Sequence, residues 1–150
     1  MTTLTADTPS HRTIDTLFDR YASHHRNPTN KLIHWICVPA ITWTALALLW
    51  ALHPLAALAF AGASLGYYLT LSPPLALGML AVSSTMLAVC SLVPNLAYTA
   101  LAIFVVAWIG QFIGHKIEGS KPSFFEDLHF LLIGPVWLLS FVYRKLGIRY

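Results

Sequence analysis

The sequence predicts an all-α integral membrane protein: a helical bundle of four spans, with an amphipathic N-terminal helix and a short C-terminal re-entrant or half-embedded segment. Three observations carry this. Leu32 through His115 is a run of 84 residues without one Asp, Glu, Lys or Arg. Apolar residues make up 57% of the chain and charged residues 10%, where soluble domains carry about 25% charge. Short turn signals at Leu52–Pro54, Ser72–Pro74 and Val93–Asn95 cut the run into pieces of about 18–21 residues, which at a helical rise of about 1.5 Å just cross a hydrocarbon core of about 30 Å. Strands are excluded because the runs lack period-two alternation.

Met1 to Ser10 is Thr-rich with Pro9, a composition expected to stay disordered; residues 11–150 then form a single membrane-embedded helical catalytic domain. From His11, the positions Ile14, Leu17, Phe18 and Tyr21 make one apolar helix face, and Asp15, Asp19 and Arg20 remain wet. This helix lies on the membrane surface or on the bundle end. Asn27-Pro28 marks a turn, Thr29 or Asn30 is expected to cap the next helix near Lys31, and Pro39 is expected to kink it. Three further spans run Pro54–Leu71, Pro74–Leu92 and Asn95–His115. Gly62, Ala63, Gly66 and Gly78 offer surfaces where helices can approach closely in lipid. The last apolar stretch, Leu128–Tyr143, has 16 residues and holds Gly134-Pro135. Being short and broken, it suits a re-entrant or half-embedded hairpin better than a fifth crossing.

The net charge is +3, and all nine Lys and Arg fall at Arg12–Lys31, Lys116 and Lys121, and Arg144–Arg149. They cap apolar segments instead of forming a continuous basic face, so nucleic acid is not an expected partner. No obligate protein partner is implied. The charge bias puts both tails and the Lys116–Asp127 loop in the cytoplasm, with the chain in a bacterial inner membrane. Cys37 and Cys90 stand inside apolar runs without CxxC spacing and read as small buried hydrophobes. No GxGxxG, P-loop, HExxH or GxSxG motif occurs.

An even number of spans brings His24, His25 and His34 to the same membrane level as His115 and Glu118, leaving His53 alone on the far side. Ionisable groups collected at one level of a membrane bundle are costly and mark a functional site by default; linking neighbouring helices is their other role. His24 and His25 cannot both point the same way, so one is a candidate ligand. Glu118 follows His115 by three positions and Glu126 precedes His129 by three, so each pair can share a helix face. Glu118 is a candidate ligand or orienting group, and His129 a further candidate ligand. Imidazoles with a carboxylate suit Fe(II), and open positions admit oxygen and a chelating substrate. Asn30, four before His34, and Gln111, four before His115, are placed to hydrogen-bond a ligand's second nitrogen. Arg26, Lys116 and Lys121 are the cations available to hold a substrate carboxylate while an acyl tail enters the bundle; anchoring to lipid is their alternative role.

Two motifs stand out: His25-x-Asn27-Pro28-x-Asn30-x-x-x-His34, and Gln111-Phe112-Ile113-Gly114-His115 with Glu118 close behind. With Lys121-Pro122 and the later Gly134-Pro135, they make the chain from Tyr21 to about Tyr143 resemble the membrane 2-hydroxy fatty acid dioxygenase family, first recognised in yeast phytosphingosine breakdown. The resemblance implies an Fe(II)-dependent, oxygen-consuming alpha-oxidation, independent of 2-oxoglutarate. In that reaction a 2-hydroxy fatty acid loses its carboxyl carbon as CO2 and emerges one carbon shorter. It maps the iron ligands onto His25, His34 and His115. Two departures matter. Glu118 stands three after His115, not four, and is preceded by Ile117 where the family pattern has Phe. No histidine lies between the third and fourth spans, where Pro94-Asn95 stands, so His129 or His24 is left to complete the set. The rival readings are a nonenzymatic lipid-binding or transport bundle and a di-iron lipid hydroxylase or desaturase.

Overall fold

The structure, a computed structural model, describes residues 12–122 and 129–150. The expected disorder of Met1–Ser10 and the pairing of Glu126 with His129 lie outside the described residues. Those residues form six helices and no strand: α1 (Thr13–Ser23), α2 (Pro28–Leu52), α3 (Pro54–Leu71), α4 (Pro73–Cys90), α5 (Leu96–Glu118) and α6 (Phe130–Lys145). Helices α2 to α5 are long and apolar enough to cross a membrane.

Three of these helices start by one device, a polar residue followed by proline. Asn27, His53 and Ser72 each accept a first-turn N–H through the side chain, and Pro28, Pro54 and Pro73 stand where no donor is needed. Helix α2 therefore begins three residues before Lys31. Its cap is Asn27, whose Oδ1 accepts from the N–H of Thr29 at 2.8 Å, and not Thr29 or Asn30. That correction matters, because it turns the Asn30 side chain inward, where it is fully buried. Pro39 lies inside α2 without ending it.

The antiparallel pair α2 and α5 is the spine of the bundle. Asn30 meets Glu118 and Gly114 at one end, Cys37 meets Gly110 two turns further on, and Ala47 packs with Ala100 near the other end. The close approach comes from Gly110-x-x-x-Gly114, the small-x-x-x-small spacing that lets backbones touch in lipid. A Cβ at Gly110 would lie 2.7 Å from the Cys37 Sγ, and one at Gly114 would overlap the Asn30 amide oxygen. Gly62 and Gly66, expected to serve this purpose, have nothing within 4 Å of a would-be Cβ. Gly78 does make a close approach, but to Tyr143 and Leu139 of α6.

Helix α6 is continuous through Gly134-Pro135 and is the most thoroughly buried of the set, with Phe130, Ile133, Val136, Trp137 and Leu138 all in the core. It is a single helix and not a hairpin. Its contacts fall at one end of the bundle along its whole length. The Tyr68 hydroxyl donates to the Leu132 carbonyl at 2.8 Å, the Tyr143 hydroxyl donates to the Pro74 carbonyl at 2.8 Å, and Trp35 meets Phe141. The helix thus lies across that end. Helix α1 buries Ile14, Phe18 and Tyr21 there and packs on α6, with Tyr21 and Trp137 ring centroids 5.0 Å apart. The main apolar cluster is assembled from α1, α6 and the near ends of α2, α3 and α4. A protease site placed after Tyr150 should be cut from the same side of the membrane as one placed before Thr13. Cleavage from opposite sides would require α6 to cross.

Candidate metal centre

Three side chains meet under α6. His25 comes from the link between α1 and α2, His34 from the second turn of α2 and His115 from the last turn of α5, each at most 4% exposed. Ring centroids are 4.2 Å apart for His25 and His34, 4.9 Å for His34 and His115, and 5.1 Å for His25 and His115. One ligand nitrogen from each ring lies within 4.8 Å of the other two.

Backbone carbonyls fix two of the rings. The Nδ1 of His25 is 2.6 Å from the Tyr21 carbonyl oxygen, and the Nδ1 of His34 is 2.9 Å from the Asn30 carbonyl oxygen. A carbonyl only accepts, so each Nδ1 carries the proton and each Nε2 presents a lone pair. The His25 Nε2 and the His115 Nδ1 are buried with no hydrogen-bond partner among the described residues. Unpaired buried nitrogens are costly, and a metal ion is the partner that satisfies several at one point. Burial, and then the neighbouring His34 ring, lower the pKa of His25 to about 3. Its imidazole is therefore neutral across the physiological range, the form that ligates metals. An all-imidazole set of this kind suits Fe, Zn, Cu or Ni.

Glu118 reaches the segment before α2. It is outside the three-histidine group, and its carboxylate is engaged across the helix pair. Oε1 accepts from the Arg26 N–H at 2.8 Å, while Oε2 accepts from the Asn27 N–H at 2.9 Å and from the Asn30 Nδ2 at 3.0 Å. It ties the end of α5 to the segment carrying His25. Glu118→Ala should lower thermal stability by about 2–3 kcal/mol, since charge-assisted bonds are lost and part-buried donors left open. It should also weaken metal binding about 10–100-fold, as for other groups that orient ligands. Glu118→Gln, which keeps one acceptor oxygen, should retain stoichiometric metal, whereas a ligand carboxylate would not tolerate it; metal analysis and thermal unfolding read both.

The other candidates separate. His24 caps α1, and its carbonyl accepts from the Asn30 Nδ2 at 3.3 Å, while its ring is half-buried outside the group. His129 stacks on Phe130 at the start of α6, also outside it. Gln111 is buried and lines the same cavity as His34 and His115. Arg26, Lys116 and Lys121 are exposed, and none lines the cavity of about 50 Å³ beside His34 and His115. Sequence reasoning missed Tyr21, which orients His25 through its carbonyl and stacks on the ring at 4.3 Å. Its signal was present: Tyr21 precedes His25 by four positions, as Asn30 precedes His34.

A family profile described as 2-hydroxy-palmitic acid dioxygenase Mpo1-like matches residues 11–146. The 2-hydroxy-palmitic acid dioxygenase MPO1 of Saccharomyces cerevisiae is 27% identical over 135 residues, covering 85% of this chain and 78% of that protein. No solved structure matches.

Proposed function

We propose that this chain, which belongs to the Mpo1-like family, is an Fe(II)-dependent dioxygenase that converts 2-hydroxy fatty acids and O2 to the acid one carbon shorter, CO2 and water. The observation that carries this reading is the meeting of three buried imidazoles, two of which hold a buried nitrogen with no hydrogen-bond partner among the described residues. The name of the yeast relative supports the substrate class.

His25, His34 and His115 would hold the iron. Bound Fe(II) would supply redox chemistry toward O2 and Lewis acidity toward the hydroxyl and carboxylate oxygens of the substrate. The carbonyls of Tyr21 and Asn30 hold two of the rings in the ligating tautomer, and Glu118 holds the His25 segment against α5. Phe130 and Trp137, both buried, roof the site and restrict water. Arg26, Lys116 and Lys121 act from outside, giving this end of the bundle a positive potential that attracts a carboxylate. By the charge bias this end is cytoplasmic, in a bacterial inner membrane, and residues 11–150 form one catalytic unit.

Purified protein supplied anaerobically with Fe(II), then given O2 and 2-hydroxypalmitate, should yield the fifteen-carbon acid and CO2 by mass analysis, with about one iron per chain. No shortened acid from iron-loaded protein would reject the reaction. A protein that purifies and reconstitutes without stoichiometric metal would instead be the nonenzymatic lipid-binding or transport bundle. Two irons per chain would favour the di-iron hydroxylase.

A further inference from the structure

A second, larger cavity of about 240 Å³ lies deeper between the helices, and it shares Ile41, Thr42, Trp108 and Leu131 as common wall with the cavity at His34 and His115. Along α3 its wall is formed by Phe60, Ala61, Ser64, Leu65 and Tyr68, spacings that make one continuous helix face. From Tyr68 to Phe60 this face runs roughly 12 Å, eight residues at the helical rise.

Four hydroxyls line this cavity, and each already donates to a backbone carbonyl. Thr42 donates to Val38 at 2.9 Å, Ser64 to Phe60 at 2.8 Å, Ser83 to Leu80 at 3.2 Å and Tyr68 to Leu132 at 2.8 Å. The wall therefore offers a ligand little beyond apolar surface. Such a cavity excludes water and takes hydrocarbon.

We infer that this cavity receives the acyl chain of the substrate, passing between Thr42 and Trp108, and that Ala61 and Ser64 set the chain length accepted. The inference rests on the proposed function for the identity of the head group. Its own content is where the tail goes. A single unbranched chain fits because the two cavities adjoin at Ile41, Thr42, Trp108 and Leu131, so the head remains at the imidazoles while the tail runs along α3. Ser64 sits midway along that face and Ala61 near its far end, where added bulk shortens the space without reaching the metal ligands.

The test uses full-length protein in detergent micelles. A 2-hydroxy acid of sixteen carbons with a photoreactive diazirine near its methyl end should crosslink, by peptide mass mapping, to α3 between Phe60 and Tyr68. Ala61→Phe and Ser64→Phe should each lower turnover of 2-hydroxypalmitate at least tenfold relative to a 2-hydroxy acid of eight carbons. Iron content should stay at the wild-type level, which shows that the bundle is folded. Crosslinks confined to the lipid-facing side of α5, or an unaltered chain-length profile in folded variants, would overturn the inference while leaving the dioxygenase reading intact. Crosslinking to α3 without turnover of any 2-hydroxy acid would do the reverse. If both phenylalanine variants fail to fold, Ala61→Val with the same two substrates decides it.

Discussion

His34→Ala protein is expected to fold and insert normally yet purify without stoichiometric metal, with turnover of 2-hydroxy acid lower by more than ~100-fold. The reduction should exceed the 10–100-fold typical of groups that only orient a ligand, because a nitrogen facing the shared point is removed outright. The fold should survive for a local reason. The Asn30 carbonyl that holds the ring is also a helix acceptor within α2, so no backbone group is orphaned when the imidazole goes. His115→Ala should behave alike. Metal content by mass spectrometry, set beside the helical signal in circular dichroism, checks the expectation. Retention of full metal and activity in either variant would remove that residue from the ligand set.

Gly114→Ala is expected to be the most damaging change that touches neither a ligand nor a charge. The added methyl would overlap the Asn30 amide oxygen and lie 3.4 Å from Ile33. Asn30 cannot simply rotate away, because it is fully buried and its Nδ2 is held by Glu118 and the His24 carbonyl. Relief therefore comes from moving α2 and α5 apart, at about 1–3 kcal/mol for an overpacked contact. The same movement separates His34 from His115, so metal affinity should fall by at least ~10-fold. Gly66→Ala, where a Cβ meets nothing within 4 Å, is the matched control and should change neither stability nor metal content. Thermal unfolding and a metal-competition titration read both variants.

Much of this was legible in the sequence because membrane constraints are strong and periodic. The uncharged run and its proline punctuation gave the spans, and an even number of crossings brought His34 and His115 to one level. Three details were not legible. A carboxylate three positions after a histidine shares its helix face, yet whether it turns toward a metal or toward a neighbouring segment depends on the partner helix. For Glu118 the partner presented three donors, from Arg26, Asn27 and Asn30. The choice among glycines also escaped, since Gly62 and Gly66 share the four-residue spacing of Gly110 and Gly114 and only packing tells them apart. Helix α6 was ambiguous for a related reason: a largely apolar stretch of 16 residues with Gly-Pro can be a hairpin, a crossing or a crosswise helix, and only its buried surroundings decide.

The apolar core is distributed unevenly between the two ends. Its main cluster gathers α1, α6 and the near ends of three spans around the histidines, while the opposite end holds a small cluster of Ala47, Cys90 and Ala100, where α5 starts at Asn95 in a left-handed conformation without a side-chain cap. When bilayer thickness varies, the helices must tilt or fray to follow it, and the weakly packed end yields first. Acyl composition of the host lipid should then be absorbed by the distant turns, so that the imidazole geometry stays constant in thin and thick bilayers alike.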